Sequence, residues 1–410
     1  MKELQIPLDI PELEIVSQSI DNKGKILLTV KSRKMGTTCH KCGKHATIHY
    51  GYAPEITIQH LPILDRPVHL IIRPVRYKCE HCNVTTTEQY DWCDSSRHIT
   101  KGLSDYLLRC LIHSTIEDVA RKERMSYKQV RGLVERLVNK EVDWSAYTDL
   151  KTLGIDEIAL KKGYNDFVTV VSTRVANGDL SVIAVIAGKK KEDIEAFLKS
   201  IPEHLRKTIE SVCTDMYDGY VNTVTQVLGA RVLVVDRYHV ARLYREQLDS
   251  LRMSEMKRLK ASLPGEEYEK LEGMMWILRK DHECLTKADR QKLTLLYHYS
   301  SRLKQAHSYA LQLTQIFNTH CSRKSAMAKI ERWIAKVHKN KVKCFMRFTS
   351  TLKKYQPFIA NYFKERKNSG FVEGLNNLIK VIKRRCYGIA KTETLFQRLY
   401  LDLQGYRMFA

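Results

Sequence analysis

Apolar and polar residues alternate along some stretches of this chain and recur at helical spacing along others. In the middle of the chain, two-residue alternation is typical of half-buried strands. An Asn177-Gly178 pair between two such stretches predicts a tight hairpin turn. The predicted strands, in chain order, are residues 153–160, 167–174, 180–187, 211–214 and 230–235. Helical spacing between the third, fourth and fifth strands predicts a helix in each gap.

Three antiparallel strands followed by helix, strand, helix and strand is the element order of a ribonuclease-H-like fold. In that order the first and fourth strands are neighbours at the centre of the sheet. After the fifth strand, residues 241–355 lose strand character and become helical, with breaks at Pro264-Gly265 and before Lys287. The predicted fold class is multidomain α/β plus α, with a ribonuclease-H-like core interrupted by an all-helical insertion.

Three acidic residues occupy key positions in this predicted core. Asp156 and Asp215 lie at the ends of the apolar runs of the first and fourth strands, and Glu373 lies near the start of a basic helix far downstream. Carboxylates are the ligands that Mg²⁺ prefers. Two such cations about 3.5–4 Å apart polarise a scissile phosphate and activate the attacking oxygen. The order strand, strand, helix therefore predicts a two-metal site that cleaves phosphodiesters.

Other polar residues flank this predicted site. Asp236 and His239 stand where the fifth strand gives way to a helix, and we expect an accessory role through hydrogen bonding or DNA contact. The alternative is a helix N-cap with a polar neighbour. After Glu373, polar residues recur at spacings of three and four and so share a helix face. On that face lie Asn376 and the predicted DNA contacts Asn377, Lys380, Lys383 and Arg384.

The predicted helical insertion ends in a basic stretch. Residues 321–355 contain eleven Lys or Arg and one acid, a one-sided charge that indicates a surface following phosphates. Lys341 and Lys343 are the predicted contacts there. Trp276 either belongs to the core of the insertion or stacks on an unpaired or flipped base.

Four cysteines near the N-terminus form two Cys-x-x-Cys turns that predict one structural zinc ion. Four thiolates leave no open coordination position, so a catalytic zinc is not expected. The 36 residues between the turns exceed the usual spacing, but alternation there predicts a hairpin that returns the second turn to the first. Two unrelated cysteine pairs are the alternative. The predicted ligands are Cys39, Cys42, Cys79 and Cys82.

Three short helices are predicted between residues 103 and 138, with a short turn between the last two. Ser126 is a suitable N-cap for the third helix, which would place an apolar face including Leu137 inward. Exposed residues at the front of that helix are placed to enter a major groove, as in a helix-turn-helix domain. Three packed helices without DNA contact are the alternative. The predicted contacts are Lys128, Gln129 and Arg131.

The charge of the chain favours a polyanionic partner. Lys and Arg number 69 against 46 acids, a formal net charge of +23. Neutralising phosphates releases counterions and drives association. No apolar run of membrane-spanning length occurs, and the acidic N-terminus lacks a signal-peptide core. We expect a cytoplasmic protein without membrane contact, with its cysteines as thiols or metal ligands.

With these motifs, the chain resembles DDE transposases of bacterial insertion sequences, most of all the ISL-three family. The motifs are CHKCG, RYKCEHC, LGIDEIA, CTDMYDGY, VVDRYHVARL and VEGLNNLIKVIKRRCYG, which span nearly the whole chain. One departure is Asn368-Ser369-Gly370 in place of Asn-Gly. The resemblance implies that Asp156, Asp215 and Glu373 bind two Mg²⁺ (or Mn²⁺) ions.

The resemblance also implies an activity and partners. Double-stranded transposon ends, marked by terminal inverted repeats, would be cleaved and then joined to target DNA. Because two ends must be held together, we expect a homodimer associated with the bacterial nucleoid. The alternatives are a non-catalytic, domesticated zinc/helix-turn-helix regulator and a ribonuclease or resolvase. A regulator has no need for three acids in this order, and a ribonuclease does not explain two upstream DNA-recognition modules.

The expected domain organisation has six parts. They are an N-terminal segment (1–35), a zinc-binding domain (36–95), a helix-turn-helix domain (96–142), the first part of the ribonuclease-H-like core (143–240), a helical insertion (241–356) and the last part of the core (357–410).

Overall fold

The computed structural model divides into two compact units, residues 1–138 with 401–410 and residues 139–400. Of the predicted hairpin turn, Asn177 lies outside the residues that the structure describes, as do Asn368 and Ser369 of the Asn-Ser-Gly departure. The described residues are 8–94, 98–160, 167–175, 178–280, 282–366 and 370–409.

The first unit consists mainly of short strands. They are β1 (Leu13–Ile20), β2 (Ile26–Ser32), β3 (Thr37–Thr38), β4 (His45–Ala46), β5 (Ile48–Tyr52), β6 (Ile56–Ile63), β7 (Arg66–Ile72), β8 (Val75–Lys78), β9 (Thr85–Thr87), β10 (Cys93–Asp94) and β11 (Ile99–Thr100). They form a six-stranded sheet in the order β1-β2-β7-β6-β11-β10, a three-stranded sheet β5-β8-β9 and the pair β3-β4.

The predicted hairpin between the two cysteine turns is confirmed as β6 and β7. These strands pair antiparallel, and their inward side chains form the centre of the core of the six-stranded sheet. Each apolar side chain buried in this way stabilises the unit by about 1.5–3 kcal/mol. The fully buried members are Ile58, Val68, Leu70 and Ile72.

Three helices follow these strands: α1 (Lys101–Leu111), α2 (Ile116–Lys122) and α3 (Tyr127–Leu137). Ser126 caps α3 as predicted, and its hydroxyl accepts a hydrogen bond from the Gln129 backbone N–H. Val130 and Leu133 are buried, but Leu137 is 43% exposed, so the expectation that it faces inward is wrong.

The second unit contains one five-stranded sheet in the order β14-β13-β12-β15-β16. β12, β13 and β14 are antiparallel, whereas β15 pairs parallel with β12 and with β16. The predicted adjacency of the first and fourth of these strands is therefore confirmed. The fifth is shorter than predicted. The strands are β12 (Thr152–Ala159), β13 (Phe167–Arg174), β14 (Leu180–Ala187), β15 (Ser211–Thr214) and β16 (Leu233–Val235).

Helices make up the rest of this unit, and the last of them continues from residue 401 into the part of the chain that belongs to the first unit. They are α4 (Lys191–Ser200), α5 (Glu203–Arg206), α6 (Asp218–Val227), α7 (Arg237–Ser262), α8 (Gly265–Glu269), α9 (Met274–Ile277), α10 (Lys287–Tyr299), α11 (Ser301–Asn318), α12 (Arg323–Lys339), α13 (Met346–Glu365), α14 (Gly370–Arg385) and α15 (Thr392–Phe409), with 3₁₀ turns at Trp144–Ala146, His282–Cys284 and Lys343–Phe345. The described chain between β16 and α14 is helical, with breaks at Pro264 and before Lys287, as predicted.

Helix α13 joins the helical segment to the sheet. The Asn361 side-chain amide donates to the backbone carbonyls of Leu233 (2.7 Å) and Ala230 (3.1 Å). On the same helix, Lys354 and Tyr355 each contact the Asp218 carboxylate at 2.6 Å. Across the described residues, no helix has both the length and the hydrophobicity needed to span a bilayer.

Candidate active site and metal-binding cysteines

Three aspartates stand side by side at one edge of the five-stranded sheet. β12 and β15 pair in register up to Ile155 and Thr214, and Thr214 is in turn paired with Val235 of β16. Asp156, Asp215 and Asp236 are the residues that come next on the three strands. Because the three strands are parallel and in register, these three positions lie at the same level of the sheet, and the fold brings their carboxylates together from distant parts of the chain.

Asp215 is half-buried in this row and electrostatically strained. Burial raises the pKa of its carboxyl, and the charges of Asp156 and Glu157 raise it further. The Tyr217 backbone N–H, 3.0 Å from Oδ1, and the nearby His239 lower the pKa, but the net direction is upward. The ionised carboxylate is therefore less favourable here than it is in water, and a neighbouring cation would offset this effect.

Asp156 is held at both of its carboxylate oxygens. Oδ1 accepts a hydrogen bond from the Glu157 backbone N–H at 2.8 Å, and Oδ2 accepts one from Asn376 Nδ2 at 2.6 Å. Asn376 lies on α14, three residues after Glu373, a rise of about 4.5 Å along the helix. This hydrogen bond connects the helix that carries Glu373 to the strand that carries Asp156.

The Glu373 side chain is exposed and does not close a site with the two aspartates. Among the described residues, the metal-compatible group of three or more acidic, imidazole or thiol side chains is formed by four cysteines elsewhere. Three carboxylates repel each other when no cation lies between them. The three predicted ligands are therefore not gathered into one metal-compatible group in the described part of the chain.

The polar face predicted for α14 is divided in two by its packing against β12. Asn376 and Lys383, two helical turns apart, both face β12, and the Lys383 ammonium donates to the Ala159 carbonyl. Lys383 therefore holds the helix to the strand in this structure, and its predicted contact with DNA stays a prediction. The exposed members of the face are Asn377, Lys380 and Arg384.

The two accessory residues have different surroundings. Asp236 is only 3% exposed, and its carboxylate accepts the Tyr238 backbone N–H at 3.1 Å as the N-cap of α7. His239 is half-buried and close enough to Asp215 to lower the pKa of that carboxyl. His239 thus faces the carboxylate row, whereas Asp236 fits the N-cap alternative.

Lys189 and Glu157 are neighbours of the site that sequence reasoning missed. Lys189 Nζ lies 3.0 Å from Glu157 Oε2 and 5.3 Å from the ring centre of Tyr217. It also interacts electrostatically with Asp215. The sequence did contain one signal for this contact, the adjacent acids Asp156 and Glu157. A second carboxylate beside a candidate metal ligand favours a nearby cationic side chain.

The four predicted cysteines converge on one point. Cys39 Sγ is 3.4 Å from Cys82 Sγ, Cys42 Sγ is 3.5 Å from Cys79 Sγ, and all four sulfurs lie within 4.8 Å of one another. Zinc–sulfur bonds of about 2.3 Å in a tetrahedron require sulfur separations of roughly 3.8 Å. This group could therefore hold a zinc ion.

The backbone around the cysteines favours metal binding. N–H groups of Cys42 and Lys41 lower the pKa of the Cys39 thiol to about 5. Backbone N–H groups also lower the pKa of Cys79, whereas burial raises the pKa of Cys82 to about 12. The Cys39 thiolate is thus favoured before a metal arrives, and a bound cation favours deprotonation of the other thiols.

The residues predicted to contact DNA are mostly exposed, but two have contacts within the chain. Gln129 Oε1 accepts the Ser126 backbone N–H at 3.0 Å as part of a capping box, and Arg131 Nε lies 2.7 Å from Glu135 Oε1. Lys128, Lys341 and Lys343 are exposed.

Trp276 is 64% exposed, so the alternative that placed it in the core is wrong. The Arg279 guanidinium carbon lies 5.9 Å from the centre of its ring. An exposed indole beside a guanidinium is available for stacking.

Comparison with known proteins connects this chain to insertion-sequence transposases. A transposase of the insertion sequence element IS1001 from Bordetella parapertussis is 26% identical, over 90% of this chain and 89% of its own length. A transposase of the insertion sequence element IS1557 from Mycobacterium tuberculosis is 21% identical, over 97% of this chain and 93% of its own length.

A solved structure also shows weak similarity. The Drosophila P element transposase strand transfer complex aligns with a TM-score of 0.42 and 9% identity, covering 75% of this chain and 93% of that chain. The sequence family is the stronger finding, because a family model for transposases of the ISL3 (ISL-three) type matches residues 153–399. This chain belongs to the ISL-three family of DDE transposases.

Proposed function

We propose that this protein cleaves DNA at the ends of an insertion sequence and joins those ends to target DNA. One observation carries the proposal: Asp156 and Asp215 directly follow Ile155 and Thr214, the last paired residues of two adjacent parallel strands, and the helix bearing Glu373 is hydrogen-bonded to Asp156 through Asn376. Family membership supports it, since the relatives are transposases of insertion sequences.

The sheet order supports a ribonuclease-H-like core for this reaction. Three antiparallel strands continue into two parallel ones, with β12 at the centre. We propose that residues 143–240 and 357–410 form this core around the helical insertion at 241–356. We also propose that residues 36–95 bind zinc and residues 96–142 form a helix-turn-helix domain.

Asp156, Asp215 and Glu373 would hold two Mg²⁺ or Mn²⁺ ions. The donor set fits, because hard oxygen ligands suit these cations and the half-buried Asp215 carboxylate gains a counter-charge. Two bound cations supply charge stabilisation for the attacking and leaving oxygens of an in-line displacement. Exposed Glu373 would turn toward the two aspartates when the cations and DNA enter.

The chain's own residues position the reactants around this site. Asn376 and the Glu157 backbone orient the Asp156 carboxylate, and His239 faces Asp215. The first reaction opens a phosphodiester with water and leaves a 3′-hydroxyl, which then attacks a target phosphodiester. No serine or tyrosine needs to form a covalent bond with DNA in this scheme.

Exposed cations and one aromatic residue would bind the DNA itself. Lys128 and Arg131, exposed at the front of α3, would read terminal inverted repeats, and the exposed Trp276 would stack on an unpaired base. Phosphate contacts would come from the basic insertion and the exposed face of α14. These contacts are Lys341, Lys343, Asn377, Lys380 and Arg384.

A homodimer acting on double-stranded DNA in the bacterial cytoplasm, at the nucleoid, completes the proposal. Two transposon ends must be brought together before joining, and one subunit on each end is the simplest arrangement.

The test is a cleavage assay with the purified full chain and linear DNA carrying the inverted repeats that flank its gene. We expect Mg²⁺-dependent nicks at the repeat ends with 3′-hydroxyl termini, and none in EDTA or on shuffled repeats. Specific binding of the repeats without cleavage in Mg²⁺ or Mn²⁺ would favour the regulator instead.

A further inference from the structure

Asn376 has one satisfied and one unsatisfied end. Its Nδ2 donates to Asp156 Oδ2 at 2.6 Å, while its Oδ1 is buried and has no hydrogen-bond partner in the described structure. A buried polar atom left without a partner destabilises the folded state. Such an atom within a candidate catalytic site is therefore a candidate for contact with an incoming group.

The orientation of this amide is fixed by its neighbour. Turning the side chain over would put Oδ1, an acceptor, against the Asp156 carboxylate, which in its ionised form is also acceptor-only. Oδ1 thus remains the unsatisfied atom. It belongs to the same amide group as the nitrogen that donates to Asp156 Oδ2. An alternative partner would have to be a donor or a cation that enters this region.

The position of Asn376 on α14 indicates which partner Oδ1 could bind. It follows Glu373 by three residues, so both side chains lie on neighbouring positions of the same helix face. A carboxamide oxygen is a hard, neutral ligand of the kind that Mg²⁺ and Mn²⁺ accept alongside carboxylates. A cation held by Asp156 would be within reach of Oδ1.

We propose that Asn376 is an additional oxygen ligand of the divalent cation at Asp156, and that its amide nitrogen holds that carboxylate in place. This inference rests on the proposed function, and it extends the metal site beyond the three carboxylates. Asn376 thereby links two events: the packing of α14 against β12 and the binding of the cation.

The experiment measures Mn²⁺ binding to the full-length protein on a pre-cleaved end duplex, by electron paramagnetic resonance of the free ion. Asn376→Ala removes both atoms and is expected to weaken Mn²⁺ binding about tenfold. Asn376→Asp keeps an oxygen ligand, so we expect Mn²⁺ to bind at least as tightly as in the wild type. Asn222→Ala, at an exposed asparagine of α6 with no proposed part in metal or DNA binding, is the matched control and should leave Mn²⁺ binding unchanged.

Two results would overturn the inference. Unchanged Mn²⁺ binding in Asn376→Ala would remove Asn376 from the metal site. Weakening in Asn376→Asp equal to that in Asn376→Ala would show that only the amide hydrogen bond matters. Asp156→Asn separates this from the proposed function: if it too leaves Mn²⁺ binding intact, the whole metal site is misplaced, not just the additional ligand.

Discussion

Val372 of α14 packs directly against Gly154 of β12, where any side chain would overlap the Cγ2 atom of Val372 and lie 2.9 Å from Ser172 Oγ. Two residues after Gly154 on the strand is Asp156, and one residue after Val372 on the helix is Glu373. The absence of a side chain at position 154 thus lets the helix with the third carboxylate approach the strand with the first.

Gly154→Ala should displace α14 and reduce end cleavage more than tenfold. Overpacking of this kind typically destabilises by about 1–3 kcal/mol. Cleavage rate and the free energy of unfolding check the prediction together. Gly265→Ala, at a glycine with open space around it, is the control and should change neither. Wild-type cleavage by Gly154→Ala would mean that α14 tolerates displacement, and that its close approach is not needed.

The sequence was sufficient to predict the five strands of the second unit and the helical character of the segment after them, because these parts of the chain have a clear apolar period. Alternation predicted β13, β14 and β15 to the residue, and the break before Lys287 coincides with the start of α10. Adjacency of Asp156 and Asp215 followed from strand order, which is a property of the whole sheet.

Contacts between side chains far apart in the sequence could not be predicted from such periodic patterns. Periodicity placed Asn376 and Lys383 on one polar face with Asn377, but only packing decides that the first two turn toward β12. Similarly, Lys189 reaches Glu157 from the connection between β14 and α4, and no local sequence pattern predicts that ion pair. Gln129 looked like a base contact, although its spacing from Ser126 also suits a capping box.

Asp215→Asn should raise the melting temperature at pH 7 in EDTA. Burial and like-charged neighbours raise the pKa of this carboxyl, so its ionisation destabilises the fold as pH rises above the ordinary value of 3.8. Asparagine can still accept the Tyr217 backbone N–H. Adding Mg²⁺ should stabilise the wild type and narrow the difference.

Asp218→Asn is the matched control for this measurement and should lower the melting temperature. Lys354 and Tyr355 lower the pKa of Asp218, so its ionised form stabilises the fold above pH 3.8, and that stabilisation is lost on neutralisation. A drop in melting temperature for Asp215→Asn, like that for Asp218→Asn, would contradict the electrostatic strain assigned to the site.

Removal of zinc should unfold only part of the protein. We expect about one zinc per chain by elemental analysis under reducing conditions, lost in Cys39→Ser and Cys82→Ser. Because the cysteine group lies within residues 1–138, end recognition should fall while residues 139–400 keep their protease resistance. Cys284→Ser, an exposed cysteine outside the group, should keep its zinc. If the purified protein contains no zinc, the four cysteines are free thiols and the predicted zinc site is wrong.

DNA binding should divide between sequence reading and phosphate contacts. Lys128→Ala should weaken binding to the cognate end more than to random DNA. The double variant Lys341→Ala/Lys343→Ala should weaken both alike and reduce the salt slope by roughly one for each lost contact. Binding titrations at several salt concentrations measure both effects. Equal loss on both DNAs for Lys128→Ala would move specificity away from α3.

In the same titrations, Gln129→Ala is a poor probe of base contact because it removes a capping interaction worth about 1 kcal/mol. Lys207→Ala is the control for the loss of one positive charge. Lys207 is an exposed lysine at the C-terminal end of α5 and is paired with Glu203 of the same helix.

The central claim is that Asp156, Asp215 and Glu373 form one metal-dependent catalytic site. The most direct test is the cleavage of a cognate end in Mg²⁺ by Asp156→Asn, Asp215→Asn and Glu373→Gln, with DNA binding measured in parallel. Each substitution removes a metal ligand but leaves the basic surface nearly unchanged, so we predict no cleavage by any of the three and binding close to that of the wild type. Wild-type cleavage by any one variant would contradict the account and exclude that residue from the site.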